Sequence, residues 1–374
     1  MNILIAADSF KDALSALDVC KAIEKGLLAA KPNLQTTCFP LADGGEGTTE
    51  ILRFHSNGEM VWTKVHDPLG RLIDASFALS ADQKTAFIDM ASASGLPLLK
   101  TNERNPLLTS TFGTGELIVA ATQAGAERII LGIGGSATND AGIGMAAALG
   151  FQFSDKNGQI LAPIGKNLNH IHQISSEQVS INLSKIQFEV LCDVDNPLYG
   201  PKGAAFVYAE QKGAHHAMIQ QLDEGLQNIA QVFQDTFVHD FRQIPGVGAA
   251  GGLGAGCMAF LNAQLKAGIQ TILQITNFEQ HIKNADLLIT GEGKIDHQSL
   301  HGKLISGLTN LAEDHKVPVI ALCGALLANP QEINKLGLKA AFSIQSSPKS
   351  LEEALKNTAQ DLEWTAFHLA KLIL

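Results

Sequence analysis

Between Pro40 and Glu50 the chain reads PLADGGEGTTE, which sets Asp43, Gly44, Gly45, Glu46 and Gly47 side by side. A loop that holds phosphate through its amides alone is neutral or basic. Two acids in such a loop call for a cation to arrive with the phosphate. The same chemistry recurs twice: ADSFK carries Asp8, Ser9 and Lys11, and TGEGKID carries Gly291, Glu292, Lys294 and Asp296. Each set follows a short aliphatic run that reads as a buried parallel strand. Ligands of open parallel sheets gather outside the carboxyl ends of the strands. An Asp capping the next helix is the plain alternative for any one of these acids. Three acidic strand ends, two of them with lysine, point instead to a divalent cation holding a nucleotide's phosphates. Mg2+ suits this, because it prefers carboxylate oxygens and waters and bridges phosphate oxygens.

The middle of the chain repeats the theme. IILGIGGSATND runs from a strand through Gly134 and Gly135 to Ser136, Asn139 and Asp140, at what reads as a helix start. That is a competent phosphate site or a tight turn. VLCDVDNPLYGPKG ends another strand with Asp193, Asp195 and Asn196. Aspartates at i and i+2 of a strand end point the same way and can share a metal or divide base and ligand roles. A turn around Pro197 is the alternative. DPLGR offers Arg71, whose fork of donors fits a carboxylate or phosphate, or a solvated hairpin. Asp89 closes a strand before ASASG, where a simple turn acid would also serve.

Positioning these loops requires alternating elements. NILIAA and LQTTCFPLA read as strands, and Ser15 with Asp18 caps a helix that Pro32 stops. Near the C-terminus ADLLIT reads as a strand ending in a loop, GEGKIDHQS. A helix through Leu304, Leu308 and Ala312 follows, then strands VPVIALCG and AAFSI. Ser350 and Glu353 box the last helix, with Leu351, Leu355, Leu362, Leu369 and Ile373 on its apolar face. Strands alternating with helices imply a parallel sheet covered on both faces. MVWTKV, LIDASFALS and KTAFIDM look like neighbouring antiparallel strands, and a long amphipathic helix is expected from about His215 to Phe233. The economical organisation is a doubly wound parallel-sheet α/β domain from residues 1–60 and 285–374, with a mixed α/β domain, 61–284, inserted between them.

At 374 residues, 45% hydrophobic, with a formal charge of −10, the chain suits a large buried core and excludes nucleic acid or an anionic membrane as partner. Five dispersed cysteines suit a reducing cytoplasm, and the N-terminus lacks a signal peptide's basic segment. The uncharged stretch Gln243–Leu265 is too rich in Gly and Ala for a membrane span and reads as a tightly packed soluble helix. LHGKL lacks the Ser or Thr of a nucleotide P-loop, GVGAAG follows no strand, and HQSLH has Gln where a metalloprotease needs Glu.

Taken in order, AADSFKDALSA, PLADGGEGT, DPLGR, LGIGGSATNDAGIGMAAALG, CDVDNPLYGPKGAA, PGVGAAGGLGAG and ITGEGKIDHQSLHGK resemble the type-1 glycerate kinase family of bacteria across nearly the whole chain. The resemblance implies a flavodoxin-like domain built from both chain ends, an inserted mixed α/β domain and a cleft between them. It also implies Mg2+-dependent phosphorylation of glycerate by ATP, usually to 2-phosphoglycerate. The family's motif residues fall on Asp8, Ser9, Lys11, Asp43, Glu46, Arg71, Asn139, Asp140, Asp193, Asp195, Glu292 and Asp296. Asp12 and Ala13 stand where the family usually has Gly and Ser, and Lys294 where Arg is common.

The expected roles follow from placement at strand ends. Asp193 is the proton acceptor, and Lys11 and Lys294 stabilise charge on the transferred group. Arg71, Ser9, Asp89 and Asn196 bind the small acid. Gly44, Gly45, Gly134, Gly135, Ser136, Asn139, Asp140, Gly291, Glu292 and Asp296 bind the nucleotide, and Asp8, Asp43, Glu46 and Asp195 the metal. A nicotinamide-dependent oxidoreductase using GIGGSA and a non-catalytic sugar-acid binding protein stay open at this stage, as does a homodimer.

Overall fold

A computed structural model describes residues 1–373 apart from Glu46, His239, Gln243 and 301–303. The strands, in chain order, are β1 (Asn2–Ile5), β2 (Gln35–Cys38), β3 (Glu59–His66), β4 (Leu72–Leu79), β5 (Thr85–Asp89), β6 (Arg128–Gly132), β7 (Gln152–Ser154), β8 (Gln173–Ser175), β9 (Gln187–Leu191), β10 (Gln264–Lys266), β11 (Leu287–Ile295), β12 (Val319–Leu326) and β13 (Ala340–Ser343). The chain divides into two compact units, Met1–Asp43 with Ile269–Leu374, and Gly44–Gly268. Both divisions fall earlier than the expected 60 and 284. The helix Thr48–His55 packs on β4 and β5 of the second unit, which carries the first division back past it.

In the first unit the sheet order is β13-β12-β11-β1-β2, with every pairing parallel. Numbered within the unit this is 2-1-3-4-5, the flavodoxin-like order, whose direction reverses between β1 and β11. Ser15 accepts from the Asp18 amide and starts the helix Ala16–Ala30, as expected. This helix and the last one, Leu351–Ile373, pack together with Ile3, Ile5, Ile289 and Leu322 in one core. Ser350 and Glu353 form the expected reciprocal cap. Leu351, expected in the apolar face, is 75% exposed, because it lies in the helix's first turn, before the buried run begins at Thr358.

Two expected boundaries move. β11 does not stop at Thr290 but runs on through Gly291, Glu292 and Lys294 to Ile295, because β12 stays paired beside it as far as Ile295↔Leu326. Glu292 and Lys294 are therefore strand residues, not loop residues. In the second unit the helix after β6 begins at Ile143. Asn139 and Asp140 thus precede it, and its short length gives no helix-terminal phosphate site.

The second unit carries a six-stranded sheet, β10-β9-β6-β5-β4-β3, antiparallel from β3 to β5 and parallel from β5 to β10. The antiparallel part matches the strands expected there. A long helix, His216–Phe237, buries Leu222, Leu226, Ile229 and Phe233. The Gly- and Ala-rich stretch is the helix Ala249–Leu261, kinked where Ala250, Gly251 and Gly252 adopt left-handed backbone. Among the described residues no helix is long and apolar enough to cross a membrane.

Asp12 sits in the tight turn Phe10–Leu14 with φ +61°, where the family's usual Gly would carry no strain. Aspartate tolerates this region better than most residues. Asp12→Gly is expected to leave stability nearly unchanged. Asp12→Val should cost about 1–2 kcal/mol, since β-branching disfavours left-handed backbone. Urea midpoints of the two variants check this.

Candidate active site

In the first unit, acids line the carboxyl ends of three adjacent parallel strands, β2, β1 and β11. The Asp8 amide donates to the Gly291 carbonyl at 2.9 Å, which fixes the end of β1 against β11. Ser9 closes back on Asp8, its amide 2.6 Å and its hydroxyl 3.3 Å from Oδ1. Burial, then the nearby charge of Asp43 and more weakly that of Glu292, pushes the Asp8 carboxyl up to about 7, against the hydrogen bonds from Ser9. These three carboxylates gather beside the point where strand order reverses, close enough for the charge of two to act on the third.

Hard oxygen donors in this state suit Mg2+, which is commonly held by one or two carboxylates with waters and substrate phosphates completing the shell. Among the described residues no three His, Cys, Asp or Glu side chains close on one metal position by themselves. Glu46 lies outside the described residues. Asp195, also expected as a metal ligand, belongs to the second unit and is exposed.

Around Glu292 the structure adds a residue that sequence patterns did not single out. The Ser299 hydroxyl donates to Glu292 Oε1 at 2.7 Å, and Ser299 Oγ accepts from the Asp296 amide at 3.3 Å. Lys294 pairs with Asp296 at 2.7 Å. Gly291, expected at the nucleotide, packs in mid-strand, where a Cβ would stand 2.8 Å from the Leu322 carbonyl oxygen. Lys11 is exposed.

In the second unit the carboxyl ends of β5, β6 and β9 meet the first glycine loop. A Cβ on Gly44, which has φ +102°, would lie 2.9 Å from Gly268 Cα and 3.2 Å from Asp193 Oδ2. Gly45 Cα is 3.2 Å from the place a Cβ would take on Gly134, so the two glycine loops abut. Asp193 Oδ1 accepts from the Gly268 amide at 2.7 Å. Asp89 Oδ2 accepts from the Thr49 amide at 3.3 Å, and Asp89 Oδ1 would be 3.0 Å from a Cβ on Gly132. Asp89, Asp193, Gly44, Gly45 and Gly134 are thus brought together, as their strand-end positions imply.

Other expected residues are occupied elsewhere. Asp140 is fully buried and accepts from the Thr111 amide and hydroxyl at 2.7 and 2.8 Å and from the amides of Gly142 and Gly144 at 3.2 Å. It clamps the loop and does not meet a phosphate, and burial pushes its pKa up despite those bonds. Asn196 donates to the Lys202 carbonyl at 2.8 Å and accepts from the Tyr208 hydroxyl, so it shapes its own loop. Arg71 faces two carboxylates already. Its Nε donates to the buried Asp67 and its Nη1 to Glu103 at 2.7 Å, while Nη2 lies 3.4 Å from the Leu98 carbonyl.

A model of the glycerate kinase family matches residues 3–374. The chain is 45% identical to a glycerate kinase of Bacillus cereus, over 99% of this chain and 97% of that one. It is 44% identical to glycerate 2-kinase of Escherichia coli K12, over 97% and 95%. A crystal structure assigned to glycerate kinase 2 of Salmonella typhimurium LT2 superposes with a TM-score of 0.90 at 43% identity, covering 100% of this chain and 98% of the other.

Proposed function

The chain belongs to the glycerate kinase family, and from that premise we propose that it transfers the γ-phosphoryl group of Mg2+-bound ATP to the 2-hydroxyl of D-glycerate in the cytoplasm. Family membership sets aside the oxidoreductase and the non-catalytic binder. The observation that carries the nucleotide half of the reading is the row Asp8, Asp43 and Glu292 beside the strand-order reversal, with the Asp8 carboxyl pushed up to about 7 by burial first and then by its acidic neighbours. Asp8 and Asp43 would hold Mg2+, which neutralises phosphate charge when bound.

The chain's own residues supply the rest. Lys11 and Lys294 stabilise charge on the transferred group. The amides of Gly134 and Gly135, both exposed, meet phosphate oxygens. In phosphoryl transfer the protein mainly positions and neutralises, and one carboxylate takes the proton of the attacking hydroxyl. Asp193, fixed by Gly268 at the end of β9, takes that part, with Asp89 at the end of β5 on the other side of β6.

Arg71 is assigned the substrate carboxylate through the donors that Asp67 and Glu103 leave over. Arg71→Lys keeps the charge but loses the fork, and the KM for glycerate should rise roughly tenfold with kcat little changed. An unchanged KM with a lower melting temperature assigns Arg71 to its turn alone. The overall reading is tested by ADP release on addition of D-glycerate, followed by phosphorus NMR of the product. An ester at C3 overturns the regiochemistry, and ADP release indifferent to D-glycerate overturns the reading.

A further inference from the structure

Lys212 is only 2% exposed, in a one-turn segment Glu210–Lys212 of the second unit. Its Nζ donates to the Thr138 carbonyl at 2.7 Å and to Ser136 Oγ at 3.4 Å. Ser136 Oγ lies 3.1 Å from Thr138 Oγ1 and accepts from the Thr138 amide at 3.1 Å. One amine therefore holds the back of the glycine loop whose front, Gly134 and Gly135, is exposed. Across a trans peptide the N–H points opposite to the carbonyl. Fixing the Thr138 carbonyl on Lys212 thus turns the Asn139 N–H the other way.

Two further observations separate this lysine from ordinary scaffolding. Asn139 is fully buried, and neither polar atom of its side chain has a hydrogen-bond partner among the described residues. Such a group costs stability unless something else meets it. Burial pushes the Lys212 ammonium down to about 7, opposed by the charge of Asp140, whose oxygens are already engaged by Thr111, Gly142 and Gly144. A methionine of similar length would fill the same space without burying an ammonium, but it would leave the buried Thr138 carbonyl without its donor.

We propose that Lys212 is a positioning residue for the nucleotide, a buried cation that holds Gly134–Thr138 in the form that accepts a phosphate of ATP, acting from behind the loop. The proposal rests on the kinase reading above. It is tested with wild type, Lys212→Met and Lys212→Gln by steady-state kinetics, calorimetric ATP binding and thermal melting.

In Lys212→Met the KM and Kd for ATP are expected to rise roughly tenfold to a hundredfold, the scale of a lost charge-assisted hydrogen bond. The KM for glycerate should stay put, and the melting temperature should fall by no more than the loss of one buried hydrogen bond implies. Lys212→Gln, which keeps a donor for Thr138, should show a smaller rise in the same direction. Three results overturn the proposal: unchanged ATP constants in both variants, a rise in the glycerate KM in place of the ATP KM, or a destabilised Lys212→Met with normal ATP constants in Lys212→Gln. A wild type that binds no ATP overturns the kinase reading itself, which separates the two failures.

Discussion

Asp193→Asn is expected to lower kcat by about 10²–10⁴-fold, the range of a lost general base, with the KM for ATP little changed. The wild-type carboxylate uses Oδ1 to accept from the Gly268 amide at 2.7 Å, and Oδ2 lies beside Gly44. Asparagine can still accept from Gly268, so the loop keeps its shape. Its amide nitrogen has no lone pair with which to take a proton from a hydroxyl. The variant therefore separates chemistry from architecture. Steady-state ADP release beside a melting curve checks it, and near-normal turnover removes Asp193 from the base position.

Glu189→Ala should cost the second unit about 1–3 kcal/mol, the scale of lost hydrogen bonds to charged groups, because the cations left behind, Arg128 and Lys266, are each 34% exposed and partly screened. Glu189 is 1% exposed in β9 and accepts from Arg128 Nε and Nη2 at 2.9 Å, with Lys266 Nζ 3.0 Å away and Gln187 Nε2 at 2.7 Å. Burial alone would raise its pKa, but the bonds from Arg128 and Lys266 reverse this and hold it below the ordinary value. A depressed carboxyl pKa contributes stability above the unfolded value, near 4.5, and loses it as pH falls through the folded one. Alanine leaves two cations across β6 and β10 without their counter-charge. Replacing all three by apolar residues of similar volume should recover most of the loss. Urea midpoints of the single and triple variants decide this.

The sequence makes the acids legible because each lies just past, or within, an aliphatic run that can only be a buried strand. Asp8, Asp43, Asp89 and Asp193 fall at the carboxyl ends of parallel strands for that reason, and Glu292 in the second half of β11. Caps such as Ser15 with Asp18 are legible because their chemistry is local. What depends on distant partners is not. β11 runs past Thr290 only because β12 accompanies it. Asp140 looks like a phosphate contact until Thr111, 29 residues earlier, is seen to hold it. Lys212 cannot be singled out at all, since nothing near it in sequence announces Ser136 and Thr138, 76 and 74 residues away.

The measurement that bears most directly on the carboxylate row is the proton count on nucleotide binding. Asp8 is pushed up from 3.8 to about 7 by burial and by its acidic neighbours, so at mildly acid pH a substantial fraction of it carries a proton in the free protein. A bound dication favours the ionised form and expels that proton. Calorimetry of Mg2+–ATP binding at pH 6.5, in two buffers of different ionisation enthalpy, should show net proton release in the wild type and its loss in Asp8→Asn. An identical proton count in both proteins would contradict the account.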